Sequence, residues 1–274
     1  RKEFEIMALS ILSNAAANQA SFSLNKNSSK LQQSLTRLSS GKKINAPADD
    51  AGGLAVSMKL TSAIGRNKSV IANIQNALSF AEVQDGALQS SATIVNRMAE
   101  LKSMSLDVIK SSADVANYNV EFTALQEQLH SIASEKFNGV SLFATDQNSG
   151  TFGTDVVNVT IFTSDQGGSG AVVSLSKGLL LSALNFTSAT NMTQLAAEAS
   201  GESLANDSTT AKVEISELSI GFFTKALENI ATLRATNAAG MARLQLAEDH
   251  ARLTKANLEA ANSRIMDVDV AEES

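Results

Sequence analysis

No cysteine occurs among the 274 residues, so no disulfide staples the fold and no thiolate serves as nucleophile or metal ligand. A reduced compartment (or chance) accounts for this absence, and so does passage through a narrow channel in an unfolded state, where a disulfide would be an obstacle. There is a single proline, Pro47, so long helices on either side of it meet no obligatory break. Aromatic residues make up only 4%, with no Trp and one Tyr, Tyr118. A thick globular core leans on aromatics, whereas a thin helical bundle closes on Leu, Ile, Val and Ala. No run approaches the roughly 20 apolar residues of a membrane span. No basic segment followed by an apolar core marks a secretory signal, which fits either a cytosolic chain or export without a cleaved signal. Net charge is −6 with acids and bases interspersed, and the lack of a basic stripe argues against nucleic acid as a partner.

Two long heptad-patterned stretches dominate what is present. In the first, from about Leu54 to Ile109, Ile74, Ala81, Leu88 and Val95 fall seven apart, with Ile64, Ile71 and Leu78 as a companion row. In the second, from about Leu218 to Ile265, the row is Ile230, Asn237, Leu244, Ala251, Leu258 and Ile265. Three residues further on lies a mostly small row of Leu233, Gly240, Ala247, Thr254 and Ala261, which predicts close approach of helix backbones. A seven-residue apolar repeat holds one seam of a helix against a partner over many turns. The two stretches are therefore expected to pack on each other as a rod, which points to a building block rather than a catalyst. The expected fold is mainly α: an elongated antiparallel long-helix bundle or coiled coil with a small β-hairpin region.

The division along the chain follows. Residues 1–6 read as a cloning remnant before Met7. Residues 7–46 hold a weakly amphipathic helix, frayed unless something covers its apolar face, and a loop around Gly41 and Pro47, with Asp49 or Asp50 placed to cap the next helix. Residues 47–144 plus 211–274 form a discontinuous helical rod domain, in which Gly65 and Gly86 mark candidate bends, Ser111 to Asn119 a polar turn and Val120 to Ser134 a returning helix. The last residues read as a helix cut rather than ended. Residues 145–210 are a short variable middle region. There the period changes to two across Val157, Val159 and Ile161, followed by a Gly-rich loop and Ala171 to Leu175, which predicts a hairpin. Gln194 to Leu204 reads as a short helix and Asn206 to Thr209 as a connector.

Catalytic constellations are not evident. His130 and His250 are the two histidines, no H-E-x-x-H or G-x-S-x-G appears, and Gly167-Gly168-Ser169-Gly170 lacks the lysine of a phosphate loop. No catalytic residue, metal ligand, cofactor or enzymatic activity is expected.

Several short segments, in order, resemble bacterial flagellin. Met7 to Asn14 resembles the family's start. Leu38-Ser39-Ser40-Gly41-Lys42-Lys43-Ile44-Asn45 followed by Asp49-Asp50-Ala51-Gly52-Gly53 is similar to its R-L-S-S-G-x-x-I-N and D-D-A-A-G signature. Asp85-Gly86-Ala87-Leu88, Lys136-Phe137-Asn138-Gly139 and, near the other end, Ser263-Arg264-Ile265-Met266-Asp267-Val268-Asp269 continue the match. The resemblance implies a structural subunit of the flagellar filament, acting in motility. Such a subunit polymerises through paired N- and C-terminal helices, is exported by the flagellar type III route to the cell exterior, and has an export chaperone and a cap protein as partners. It also implies a further terminal helix beyond Ser274, so the chain as given is expected to stay unpolymerised, with Met7 to about Ser40 lacking a partner.

Within the resemblance, Asn96 to Met104 aligns with the family's innate-immune segment Q-R-x-R-E-L-A-V-Q. Arg97, Glu100 and Leu101 match it; Ala99 stands where the second Arg would be and Lys102 where a small residue would be. This makes those three residues a candidate contact for the flagellin-sensing toll-like receptor. The plainer structural reading places Leu101 in the bundle and Arg97 on a solvated face. Two alternative functions remain on the sequence: a flagellin-like cell-surface protein for adhesion or polysaccharide binding, and a hook–filament junction protein.

Overall fold

A computed structural model of the chain describes residues 15–144, 157–186, 202–205 and 213–273. Helix α1 spans Ala15–Ser40, α2 Ala51–Ser105, α3 Ser112–Ala133, the short α4 Leu180–Ala183, α5 Ile220–Met266 and the short α6 Val270–Glu273. Three two-stranded antiparallel ladders accompany them: β1 (Lys136–Phe137) with β2 (Val140–Ser141), β3 (Val157–Phe162) with β4 (Val172–Lys177), and β5 (Asn185–Phe186) with β6 (Glu202–Ser203). The fold is mainly α, a long-helix bundle with a small β region. The chain divides into two compact units, residues 66–254 and residues 1–65 with 255–274.

In the 66–254 unit, α2 and α5 run antiparallel. Gln75 Nε2 donates to Glu248 Oε1 at 2.9 Å, Asn237 Nδ2 to the Ala81 carbonyl at 2.8 Å, and Arg234 grips both carboxylate oxygens of Asp85 at 2.9 Å, so contacts that advance along α2 retreat along α5. The heptad rows are the core: Ile74, Ala81, Leu88 and Val95 on α2 and Ile230, Asn237, Leu244 and Ala251 on α5 are all buried. The companion row on α2 differs from expectation. Ile64, Ile71 and Leu78 are only half-buried, and the second buried row is Val70, Gln84, Ser91 and Met98. Polar residues sit in that row because it faces chain as well as helix. Gln84 Nε2 donates to the Leu142 and Ser176 carbonyls at 2.8 and 3.2 Å, supplying donors that irregular backbone needs when buried.

Gly240 also departs from its expected role. A Cβ there would stand 2.7 Å from Leu175 Cδ1, so the small residue makes room for a strand leucine rather than for a helix backbone. β3 and β4 pair from Val157↔Lys177 to Phe162↔Val172, as the alternation predicts, and bury Ile161, Val173 and Leu175. Arg66 ties the far end of this hairpin to α2 through the carbonyl and carboxylate of Asp165, both at 3.2 Å. β1 and β2 are joined by Asn138-Gly139, both at positive φ (49° and 81°), the backbone a two-residue hairpin turn requires.

α3 begins earlier than the polar composition of Ser111 to Asn119 suggests. Ser111 caps it, accepting from the Asp114 amide while Asp114 accepts from the Ser111 amide, so a reciprocal capping box turns this stretch into the first helical turns. The few aromatics gather where the third helix thickens the bundle. Phe122 meets Phe223 edge-on at 6.2 Å and Phe223 meets Phe222 at 5.6 Å. The expected helix from Gln194 lies mostly outside the described residues; its described end, Glu202–Ser203, is strand β6. The connector Asn206 to Thr209 lies outside them entirely.

In the second unit, α1 is helical over 26 residues with no buried side chain. It is longer than the 12–15 residues below which isolated helices are marginal, and its Phe22, Leu24, Leu31 and Leu35 are exposed. α2 passes through Gly65 and Gly86 as unbroken helix.

The seam makes a measurable claim. Leu88→Ala, at a wholly buried heptad position, is expected to lower unfolding free energy by about 2–5 kcal/mol. Leu253→Ala, exposed on α5, is expected to change it by about 0.5 kcal/mol or less. Urea unfolding of both variants compares them, and equal effects would refute this assignment of the seam.

Candidate functional site

The motif-bearing segments from the two ends of the chain meet in the unit made of residues 1–65 and 255–274. α1 closes at Ser40, whose Oγ donates to the Arg37 carbonyl at 3.2 Å and accepts from the Lys42 amide at 3.2 Å. Gly41 follows at φ 68°, a left-handed conformation open to glycine with little strain, which ends the helix and turns the chain. The turned segment then pairs with the other end. The Lys43 amide donates to the Met266 carbonyl at 2.6 Å, the Val268 amide donates to the Gly41 carbonyl at 3.2 Å, and Lys42 bridges antiparallel to Asp267.

This pairing also explains why α5 stops at Met266, four residues before the short helix α6. Asp267 to Asp269 leave the helical path to reach Gly41 and Lys43. Asp267 accepts from the Ser263 hydroxyl, and its amide donates to the Ser263 carbonyl at 2.8 Å. Asp267 and Asp269 thus stand in a backbone joint, and among the described residues no group of three or more His, Cys, Asp or Glu gathers as a metal site.

Asp49 and Asp50, alternative caps on the sequence, take separate tasks. Asp50 caps α2, its Oδ1 accepting from the Gly53 amide at 2.8 Å. A Cβ at Gly53 would stand 2.5 Å from Asp50 Oδ2 and 2.8 Å from Ile44 Cδ1, so a larger residue would displace both side chains. Asp49 gathers the loop: its Oδ2 accepts from the Asn45 and Ala46 amides at 3.0 Å each, and its Oδ1 from Gln33 Nε2 of α1 at 2.8 Å. The Ala46 and Asn45 amides, with lesser help from Gln33 and Arg37, hold its pKa below the ordinary carboxylate value. Further along, the Ser57 hydroxyl donates to Asn262 Oδ1 at 2.7 Å, and Arg37 pairs with Glu273 at 3.5 Å. Ile44 is the buried apolar residue of the loop.

The candidate receptor residues lie in the other unit, near the end of α2. Arg97 is exposed, with Nε 2.7 Å from Glu121 of α3 and Nη1 3.1 Å from Glu100. Leu101 is 0% exposed and belongs to the core. Arg97 and Glu100 therefore share a surface with Glu121, a member the sequence reading missed, while Leu101 supports α2 from within. Lys102, which the sequence marks only as a departure from the receptor segment, is buried as well. Its ammonium is buried against the carbonyls of Ile215 and Ser216 at 2.9 and 3.4 Å, and burial lowers its pKa. A charged residue one place after a core leucine was the available signal.

Comparison with known proteins bears on this arrangement. Residues 11–148 match the family model described as the bacterial flagellin N-terminal helical region, and residues 220–274 match that of the bacterial flagellin C-terminal helical region. The flagellar filament 30.7 kDa core protein of Treponema maltophilum is 30% identical over 265 residues, covering 95% of this chain and 87% of that one. Flagellin FlaB2 of Treponema pallidum is 31% identical, covering 89% and 81% respectively. The crystal structure of Bacillus cereus flagellin is 21% identical, with a TM-score of 0.46 over 66% of this chain and 88% of that one.

Acid tests the loop. Because Asp49 has a depressed pKa in the folded chain, its contribution is fully present above the unfolded value of about 3.9 and is lost as pH falls through the folded one. The Asn45 and Ala46 amide resonances are expected to shift together over that acid range, and Asp49→Asn to abolish the transition. Amides that stay unmoved through the acid titration would contradict the assignment.

Proposed function

Since the chain belongs to the bacterial flagellin family and is a structural subunit of the flagellar filament, we propose that the joint between Gly41–Asn45 and Ser263–Asp269 sets the two ends of the chain for self-assembly. The carrying observation is that joint: backbone pairing between segments more than 200 residues apart, beside a helix, α1, with no buried residue. Turned apolar residues such as Leu31 and Leu35 on α1 suit a helix that completes its packing against other chain in the assembled state. Self-association is the function of the fold. On this reading residues 7–46 serve the filament core, 47–144 with 211–274 the rod and 145–210 the outward-facing middle.

The family resemblance supports export without a cleaved signal by the flagellar type III route, with an export chaperone and a cap protein as partners, and the cysteine-free sequence agrees with passage through a narrow channel. The filament is extracellular. The family's structural character supports a role without catalysis.

Receptor contact is a second reading, favoured by one observation. Arg97 and Glu100 present paired charges on the exposed side of α2, and Glu121 extends that surface onto α3. The toll-like receptor contact is assigned to Arg97 and Glu100 at the surface, with Leu101 holding the helix in place beneath them.

Each reading has its own experiment. For a chain carrying both terminal helices of the family, growth from short flagellar seeds is expected to yield helical filaments by negative-stain electron microscopy. Leu31→Asp with Leu35→Asp is expected to stop growth while leaving the urea unfolding of the 66–254 unit within about 0.5 kcal/mol; normal filaments from that variant would remove α1 from the assembly surface. For the receptor, Arg97→Ala and Glu100→Ala are expected to weaken reporter-cell signalling with helix content retained by circular dichroism. Signalling equal to the parent chain would eliminate the contact.

A further inference from the structure

Residues 213–219 lead into α5 without joining a helix or ladder, yet side chains of two helices hold their backbone. Gln126 Nε2 of α3 donates to the Val213 carbonyl at 2.8 Å. Asn119 Oδ1 of α3 accepts from the Ile215 amide at 2.9 Å. Lys102 Nζ of α2 donates to the Ile215 and Ser216 carbonyls at 2.9 and 3.4 Å. Val213, Ile215 and Leu218 are buried between these anchors, while Glu214, Ser216 and Glu217 face solvent. The segment folds through a turn in which the Glu217 amide donates to the Glu214 carbonyl at 3.0 Å, with helix side chains recognising its backbone and its apolar residues filling sites beneath.

The anchors are unequal. Gln126 and Asn119 are neutral, and their hydrogen bonds to the segment contribute only modestly once exchange with water is counted. Lys102 is 6% exposed, and among the described residues no carboxylate pairs with its ammonium, which only backbone carbonyls compensate. A buried ammonium without a carboxylate carries a desolvation penalty, and burial accordingly lowers the Lys102 pKa. Release of the segment would return this charge to water. No such gain accompanies opening of the α2/α5 seam, where the heptad rows are largely apolar.

We infer that residues 213–218 form a strap that opens and closes as a unit of its own over the end of α2 and the middle of α3, with Lys102, Asn119 and Gln126 as its fastenings. Opening exposes the Lys102 ammonium and the sites filled by Val213, Ile215 and Leu218, and leaves the contact between α2 and α5 in place. The device lies immediately before Ser219, whose hydroxyl accepts from the Phe222 amide at the start of α5. It therefore gives the chain a point of local adjustment beside a stiff helix pair. This inference does not depend on filament assembly.

Hydrogen exchange on the full chain tests it, with each amide corrected for its intrinsic rate. In the parent protein the Ile215 and Glu217 amides are expected to exchange at least about tenfold faster than those of Leu88 and Leu244, the signature of a sub-global opening. Asn119→Ala is expected to speed the strap amides roughly tenfold further with the seam amides unchanged, and Gln126→Leu to act in the same direction. Strap and seam amides exchanging at one rate, or rising together in the Asn119 variant, would show that the segment opens only with the whole unit and would overturn the proposal. Strap amides unmoved by both substitutions would overturn it equally.

Discussion

Ile74, Ala81, Leu88 and Val95 on α2 and Ile230, Asn237, Leu244 and Ala251 on α5 form one buried seam, and the rest of the 66–254 unit is arranged against it. An α-helix as long as α2 has no stability of its own to match its length; a continuous apolar row against a partner supplies it. The seam is not uniformly apolar. Asn237 donates to the Ala81 carbonyl from within the row, and a single polar residue at such a position fixes register at some loss of stability. Asp85 with Arg234 marks the same register from the flank, through a two-point ion pair that is partly exposed and therefore worth little as stability. Apolar burial holds the helices together, and the polar contacts select which residues meet.

Once α2 is fixed against α5, the remaining buried surface of the helices has to accommodate further chain, much of it neither helix nor long strand. Such chain carries backbone donors and acceptors that cannot be left bare. The answer recurs: Gln84 reaches the carbonyls of Leu142 and Ser176, Gln126 that of Val213, and Asn229 Nδ2 that of Ala183 at 3.0 Å. The three amides stand on three helices, α2, α3 and α5, and each reaches chain distant from it in sequence. Leu175 inserting over Gly240 is the apolar counterpart, with a missing side chain on the helix matched to a present one on the strand.

The physics of legibility follows the same division. Rows of Ile, Leu, Val and Ala at a spacing of seven are visible in a sequence because period and chemistry agree, and the alternation of Val157, Val159 and Ile161 is visible for the same reason. Gln84 and Ser91 read as interruptions of an apolar row, since their justification is a carbonyl more than fifty residues away or the helix's own backbone. Ser111 to Asn119 read as a turn because polarity outweighed the Ser111-x-x-Asp114 capping box. Arg97 and Glu100 read as surface charges on a helix and stand there, but Glu121, which completes their cluster, lies on another helix. The short segments at both ends identified the family. That they touch depends on hydrogen bonds between Gly41, Lys43, Met266 and Val268, which no spacing along the chain encodes.

The two units therefore hold themselves by different means. The 66–254 unit rests on buried area, which is insensitive to salt and modest changes of pH. The other is joined by exposed hydrogen bonds at Asp49 and Asp50, the backbone pairing at Gly41 and a half-buried one at Ser57, each contributing on the order of 1 kcal/mol. A helix such as α1, with Phe22, Leu24, Leu31 and Leu35 exposed beside that polar joint, gains stability in proportion to the apolar area that other chain covers. In a filament subunit this difference has a consequence. On the assembly proposed above, the 66–254 unit needs no neighbour to complete its core, whereas α1 gains its burial from neighbouring chain. Completion of the fold and growth of the polymer then become the same event.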